Sequence, residues 1–468
     1  MSRERKDRPS TLGELKQSGY SAMTVREEMR RNLIEKLRTG EQLFPGIIGY
    51  EDTVIPQLEN AILAGQDIIF LGERGQAKSR MIRSLVSLLD AEIPVVAGCE
   101  INDSPLCPRC KACREKLARM GDMLEVAWLP REARYAEKLA TPDVSVADLI
   151  GDIDPIKVAE GRYLSDEGAI HYGLIPRANR GIFAINELPD LPERIQVGLF
   201  NLMEEQDIQI RGHNVRLPLD VYIVASANPE DYTNRGRIIT PLKDRFGARV
   251  RTHYPRSVQD EIRILDQERT RFPQEDRLLV PVWMKEIVAE ITLLARQTAE
   301  VNQRSGVSVR ASIANYETLI SNALRRSILL REERVSPRIT DLPYIFPSFA
   351  GKVELEGFEE DGEQRVLEEL TRKAVLNVFQ RYVDKEGMDG VMAYFSNGFY
   401  VDVGSDIPSS DYAALLQGRE ELAQAVRRLG VNGNPEAIAS AVEFLLEGLH
   451  LSKRLTRKSE TRGFRYGD

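Results

Sequence analysis

Residues 72–79 read Gly72-Glu73-Arg74-Gly75-Gln76-Ala77-Lys78-Ser79 and lie between an apolar run, Asp67 to Leu71, and a helix-like run, Arg80 to Leu89. A strand, a glycine-bearing turn, a Lys-Ser pair and a helix make the phosphate-binding loop of nucleotide hydrolases. Such a turn aims backbone N–H groups at a triphosphate, at the positive end of a helix. In that reading Lys78 reaches the terminal phosphates and the Ser79 hydroxyl holds Mg²⁺. Ala77 departs from the pattern, standing where the last glycine of the loop is expected. A left-handed backbone at that point would cost alanine about 1 kcal/mol.

Four further stretches carry polar residues at places where chemistry is done. Gly181-Ile182-Phe183-Ala184-Ile185-Asn186-Glu187 is a buried-strand pattern ending in two polar residues. Glu187 suits a base that polarises an attacking water. Asn186 stands where nucleotide hydrolases carry Asp; it can accept a hydrogen bond from a metal-bound water but supplies no negative charge. A strand end followed by a helix cap accounts for these two residues equally well when they are taken alone. Val221 to Ala227 is another buried run and ends in Asn228, on the rim of a parallel sheet where ligands gather. Just before it, Ile208-Gln209-Ile210 and Val215-Arg216-Leu217 alternate around residues 211–214, a hairpin signal. Leu242-Lys243-Asp244-Arg245-Phe246 offers Arg245 to the site of a neighbouring subunit, and Val307 to Ser312 offers Arg310 to a γ-phosphate from a lid. Either arginine alone reads as a surface ion-pair residue; the order and spacing of all five stretches argue otherwise.

This ordered set resembles the AAA+ ATPases, and among them magnesium-chelatase subunit I and its MoxR-like relatives, from about Phe44 to about Ile345. Phe44-Pro45-Gly46-Ile47-Ile48-Gly49 is similar to the segment that borders the adenine pocket. Gly151-Asp152-Ile153-Asp154, Gly168, Gly173-Leu174-Ile175 and Ala178-Asn179-Arg180-Gly181 resemble the approach to the Walker B strand. The resemblance implies that Gly72 to Ser79 form Walker A, with Ile48 beside the nucleotide. It implies Asn186 and Glu187 as Walker B, Asn228 as sensor 1, Arg245 as the arginine finger and Arg310 as sensor 2. It further implies ATP and Mg²⁺, a pre-sensor-1 hairpin at 207–218, a homo-oligomeric, hexameric ring, and a partner protein with a von Willebrand A-type domain. The outcome would be remodelling or activation of that partner, for metal insertion or maturation of a complex. Ala77 and Asn186 keep open a nucleotide-gated scaffold with little hydrolysis. A sigma-54-type transcriptional activator would need a Gly-Ala-Phe-Thr-Gly-Ala loop, usually with a DNA-binding helix-turn-helix, and neither is found in the sequence.

The cysteines are the other chemical signal. All four, Cys99, Cys107, Cys110 and Cys113, fall in one short segment with the spacing C-x₇-C-x₂-C-x₂-C. Clustered thiols in a cytosolic chain read first as metal ligands, and four thiolates suit a closed tetrahedral Zn²⁺ site. Iron–sulfur ligation is the alternative, although the spacing does not match the usual ferredoxin run. The four histidines show no ligand spacing among themselves.

These residues must be positioned by the elements around them. From about 45 to 255, short apolar runs alternate with helical ones, and Asp67–Leu71, Ile93–Val96, Gly181–Ile185 and Val221–Ser226 suit buried strands of a parallel sheet. The expected fold is therefore α/β, a P-loop core followed by a helical lid and a mostly helical C-terminal domain. The divisions predicted are a helical segment at 1–40, the nucleotide-binding domain at 41–255 with its Cys-rich insert at 99–113, the lid at 256–347, and a C-terminal domain at 348–468. That last domain carries no part of the resemblance. Within 1–40, Val25, Met29, Leu33 and Leu37 recur at four-residue spacing, as on one helix face. With 42% hydrophobic and 29% charged residues among 468, the composition is that of a globular protein. A net charge of −8 argues against whole-surface nucleic-acid binding, and the basic stretch Lys453 to Arg465 reads as a solvated tail. No apolar run reaches membrane-span length, and the N-terminus has no secretory signal, so the default location is cytoplasmic.

Overall fold

The computed structural model describes residues 8–159, 167–209, 216–228, 237–302, 306–355, 362–384, 388–460 and 463–467. They fall into two compact units, Met1–His253 and Tyr254–Asp468.

The first unit is built on a five-stranded sheet. Its strands are β1 (Ile68–Leu71), β2 (Tyr135–Leu139), β3 (Gly181–Asn186), β4 (Val221–Ala227) and β5 (Ala248–Arg251), in the order β5-β1-β4-β3-β2. Every pairing is parallel, with Phe70 opposite Ser226, Ala225 opposite Ile185 and Asn186 opposite Leu139. The central strands are apolar at successive positions because both faces are covered. Ile69, Phe183, Ile185, Ile223 and Ala225 enter one core with Ile195, Leu199 and Leu202 of the helix Glu193–Glu205. Ile68, Phe70, Ile182, Ala184, Tyr222 and Val224 enter the other with the helices Val54–Leu63 and Lys78–Ser84. This is the two-residue alternation of a strand, read out on two buried faces. The helix Val25–Thr39 starts at a Thr24 capping box and ends at Gly40, whose φ is +72°. It buries Val25, Met29 and Leu33 at the expected spacing, while Leu37 is exposed.

One expected strand of the parallel sheet lies elsewhere. Ile93–Val96 belongs to Glu92–Val96, which pairs antiparallel with Val126–Pro130 in a separate two-stranded ribbon. Pro94 has no N–H to give a ladder and so suits such a ribbon better than a sheet interior. The parallel sheet is completed instead by β2 and β5, edge strands whose polar residues hid them. The hairpin before β4 has its strands at Asp207–Gln209 and Arg216–Pro218, paired antiparallel; its turn, including His213, lies outside the described residues.

In the second unit the helices Val258–Glu268, Val282–Ala295, Val309–Leu330, Gly362–Tyr382 and Pro435–Leu451 share one apolar core. Trp283 stacks on Phe444 at 5.5 Å between ring centroids. Asn434 caps the last helix with its side chain, as the Asn434-Pro435-Glu436 run predicts. The C-terminal region also holds a three-stranded antiparallel sheet, with Gly463–Tyr466 between Val401–Gly404 and Arg457–Glu460. The basic stretch is therefore not a solvated tail: Arg457 pairs with Glu447 at 2.8 Å and Arg465 with Asp402 at 2.6 Å. Among the described residues no helix is long and apolar enough to cross a membrane.

Candidate functional site

Parallel strands end on one rim, and β1, β3 and β4 lead into the polar residues singled out above. The Gly72 N–H donates to Ala227 O at 3.2 Å, tying the start of the loop to the end of β4. A Cβ on Gly72 would lie 1.9 Å from Thr252 Oγ1 and 2.3 Å from Gln76 Oε1. Those two atoms are themselves joined by a 2.6 Å hydrogen bond, so only glycine fits between them. Tyr50 donates its hydroxyl proton to the carbonyls of Gln76 (3.0 Å) and His253 (2.7 Å), pinning the loop from the other side. The turn then takes two left-handed residues, Gly75 at φ +76° and Ala77 at φ +56°. Ala77 is the residue before the helix Lys78–Ser84. Glu73 is half-buried, Arg74 is exposed, and Ile48 is a half-buried loop residue between buried Ile47 and Tyr50.

Lys78 is buried, and its ammonium donates to Gly72 O, to Glu73 O at 2.7 Å and to Asn228 Oδ1 at 2.7 Å. Asn228 is itself buried. The Ser79 hydroxyl donates to Asn186 Oδ1 at 3.5 Å, and Ser226 Oγ donates to the same oxygen at 3.3 Å. Glu187 follows in a left-handed conformation, φ +57° and ψ +46°, with its N–H on Ser226 Oγ at 3.3 Å. An ammonium, a hydroxyl and two amides thus gather at the ends of three neighbouring strands, with Glu187 next in the chain. The donor set fits a polyphosphate with its divalent ion: a fixed cation for phosphate oxygens and a hydroxyl for the ion.

A residue absent from the sequence reading completes this group. The Asn186 amide donates to Glu137 Oε1 at 2.5 Å. Arg83 holds the same carboxylate with two bonds, 2.8 and 3.0 Å, and the Tyr135 hydroxyl adds a third at 3.0 Å. The Arg83 guanidinium, foremost, with Tyr135 and Asn186, holds the Glu137 carboxyl below its usual range against the opposing effect of burial. Glu137 is therefore an anion one hydrogen bond behind Asn186. No spacing signal marks it, because it reaches Asn186 only through the lateral pairing of β2 with β3.

Arg245 ends the helix Thr240–Arg245, pairs with Glu204 at 2.5 Å and lies 5.3 Å over the Phe200 ring, partly exposed. Arg310 is in the second unit, exposed in the first turn of the helix Val309–Leu330.

The cysteine segment follows the strand Glu92–Val96. Donor atoms of Cys99, Asp103, Cys110 and Cys113 all lie within 4.8 Å of one another. This differs from the expected four-cysteine set, since Cys107 is exposed and outside the group. Asp103 is drawn in because its Oδ2 accepts the N–H groups of Arg109 (2.9 Å) and Cys110 (2.8 Å). Hydrogen bonds from the Cys110 and Cys113 thiols hold Cys99 well below the usual thiol range.

Comparison with known proteins points the same way as the loop. A family model described as the Sigma-54 interaction domain matches residues 159–245, a stretch that holds β3, β4 and Arg245 but not the glycine loop. The magnesium-chelatase subunit ChlI of Nostoc sp. is 28% identical over 267 residues, 56% of this chain and 66% of that protein. The chloroplastic subunit ChlI-2 of Arabidopsis thaliana is 31% identical over 245 residues, 50% of this chain and 54% of that protein. The chain resembles magnesium-chelatase subunit I, an AAA+ ATPase. Its match spans between about half and two thirds of the length of these chelatase subunits. A solved structure of the magnesium-chelatase BchI–BchD complex aligns over 70% of this chain and 98% of that one, at 22% identity and a TM-score of 0.36.

Proposed function

We propose that this chain binds and hydrolyses Mg·ATP as a ring-forming AAA+ ATPase and uses the cycle to remodel or activate a partner protein. The observation that carries the reading is the meeting of Lys78, Ser79, Asn186 and Asn228 at the strand ends, with Glu187 next in the chain. Lys78 would exchange the loop carbonyls for phosphate oxygens, with the backbone of residues 72–77 as the cradle and Ile48 at the base. Ser79 would hold the magnesium ion that accompanies the nucleotide. Glu187 takes the proton of a water oriented by Asn228 as the water oxygen attacks the γ-phosphorus. The bond to the β,γ-bridging oxygen breaks, and its electron pair leaves with ADP. Arg245 of a neighbouring subunit and Arg310 would neutralise charge on the transferring group.

The Walker B position lacks its carboxylate, and Glu137 supports hydrolysis there. It makes Asn186 a polarised amide, keeping negative charge near the ion at one remove. A nucleotide-gated scaffold is the second reading, favoured by Asn186 and by the left-handed Ala77. Sigma-54 activation draws on the match over residues 159–245 but lacks the loop that would contact polymerase. A homo-hexameric cytoplasmic ring and a von Willebrand A-type partner, serving metal insertion or complex maturation, complete the proposal. It takes support from the chelatase I likeness and from a relative whose structure pairs two subunits. The Cys-rich insert is read as a structural metal knuckle, with zinc preferred to an iron–sulfur cluster.

Titration of purified protein with fluorescent ATP and Mg²⁺ tests the pocket. Lys78→Ala should lose at least tenfold in affinity, since it removes a buried ammonium bonded to the loop carbonyls and to Asn228. Unchanged affinity would overturn the assignment.

A further inference from the structure

The Cys-rich insert carries an oxygen donor that the cysteine pattern does not reveal. Asp103 is fully buried. One carboxylate oxygen, Oδ2, is occupied by the N–H groups of Arg109 and Cys110. The other, Oδ1, is buried with no hydrogen-bond partner. A buried carboxylate oxygen without a partner is costly, and such a group in a folded protein is either paired or ligated to an ion. Beside it stand three sulfur atoms, those of Cys99, Cys110 and Cys113, with every donor in the group within 4.8 Å of the others. Ligands at zinc distances on a tetrahedron stand about 3.5–3.8 Å apart, so these four need close only slightly around one ion.

The backbone prepares the same arrangement. Cys99 leaves the strand Glu92–Val96 in a turn, with its N–H on Val96 O at 3.1 Å. The Val96 N–H in turn donates to Asp103 O at 2.9 Å, closing the loop that presents both residues. Cys110 caps the helix Lys111–Met120, and Cys113 lies in its first turn with its N–H on Cys110 Sγ at 3.4 Å. Asp103 donates its own N–H to Cys99 Sγ at 3.4 Å. Backbone N–H groups directed at sulfur are the usual outer support of metal-bound thiolates. Cys107 has none of this: it lies in an exposed turn, with its N–H on Ser104 O at 3.2 Å.

We propose that the insert is a mononuclear zinc site ligated by Cys99, Asp103, Cys110 and Cys113, and that Cys107 is a free surface thiol. The proposal rests on the metal-knuckle reading above and fixes its donors. Three thiolates and one carboxylate on a single centre suit zinc, which accepts sulfur and oxygen ligands in a closed tetrahedron. An iron–sulfur cluster takes thiolates on separate iron atoms and would call on the fourth cysteine.

Metal analysis of the full-length protein, purified with zinc present and then dialysed, should find about one zinc per chain. Cys107→Ser should keep that stoichiometry and abolish the one thiol that reacts quickly with Ellman's reagent in the native protein. Asp103→Ala and Cys110→Ser should each lower zinc affinity at least tenfold in competition with a chromophoric chelator. Asp103→Cys, which restores a fourth donor, should recover it, separating ligation from simple misfolding. Cobalt substitution should give the intense visible absorption of a tetrahedral thiolate site in the wild type and in Cys107→Ser. Loss of zinc in Cys107→Ser with retention in Asp103→Ala would overturn the donor set and leave the knuckle reading standing. No bound zinc in the wild type, or iron in its place, would overturn both.

Discussion

Two non-glycine residues at the site, Ala77 and Glu187, hold left-handed backbones, at φ +56° and +57°. Each costs about 1–2 kcal/mol relative to a helical or extended backbone. Burial of Met81, Ile82 and Leu85 in the helix and 3₁₀ turn that follow Ala77 fixes the loop despite that cost. Ala77 and its cost are legible in the sequence, because a phosphate loop's geometry is local. Glu137 was not legible in the same way, since nothing within a few residues of Asn186 in the chain announces it. The same holds for Asp103, whose partners are two backbone N–H groups and whose side chain shows no spacing with the cysteines. Glu137 gives the sharper test. Glu137→Gln should leave ATP affinity within about twofold and lower steady-state hydrolysis about tenfold, the usual effect of removing an outer partner of a metal-site residue. Asn186→Asp alone should destabilise the fold by about 1 kcal/mol, the equivalent of roughly one pKa unit, because two carboxylates would meet where an amide now bridges. The double variant should recover both stability and turnover; melting curves and rates for the four proteins check this, and an unchanged rate in Glu137→Gln would remove Glu137 from the mechanism. Because Arg83 holds the Glu137 carboxyl below its usual range, any stability it contributes is present above the unfolded carboxyl's pKa and is lost as pH falls through the folded value. Arg83 is largely exposed, so that contribution is small.

At the scale of elements, the strands that carry the site are those that were easiest to read. β1, β3 and β4 are buried on both faces and apolar at successive positions. β2 and β5 form the edges and carry Glu137, Lys138, Arg249 and Arg251, so their pattern resembles a loop or a helix surface. Ile93–Val96 shows the converse error, a run apolar enough for the central sheet but placed in a ribbon. The approach to β3 is held by contacts far apart in the chain. A Cβ on Gly181 would lie 1.9 Å from Arg134 O, so the two backbones touch. The Arg134 guanidinium, fully buried, donates to both Glu28 oxygens at 2.7 and 2.6 Å and to Arg180 O. The pair links the N-terminal helix Val25–Thr39 to the entry of β3. Glu28→Gln leaves a buried guanidinium without its counter-charge and should cost about 3–5 kcal/mol. A fall of about 10 °C in the melting temperature of the first unit is expected, and a fall below about 2 °C would show that Arg134 finds another partner.

At the scale of the molecule, the functional residues are divided between the two compact units, with Arg310 in the second and the rest of the proposed nucleotide machinery in the first. Arg245 is partly exposed and held by Glu204 and the Phe200 ring, as suits a residue offered to a neighbour. Arg245→Ala should bind ATP as the wild type does and lose about 10³-fold in turnover. If the arginine acts in trans, mixing Arg245→Ala with Glu187→Gln should restore part of the activity, because some sites then combine an intact Glu187 with a neighbour's intact Arg245. Mixtures no more active than either variant would contradict action in trans. The central claim is that this site, with alanine in its loop and an amide in place of the Walker B carboxylate, still hydrolyses ATP through Glu187. Steady-state phosphate release with Mg·ATP, by the wild type and by Glu187→Gln, tests it most directly. Measurable turnover by the wild type is expected, with a rate at least about 10²-fold lower in Glu187→Gln and ATP affinity retained. Equal rates for the two proteins, or no turnover in a wild type that binds ATP, would contradict it.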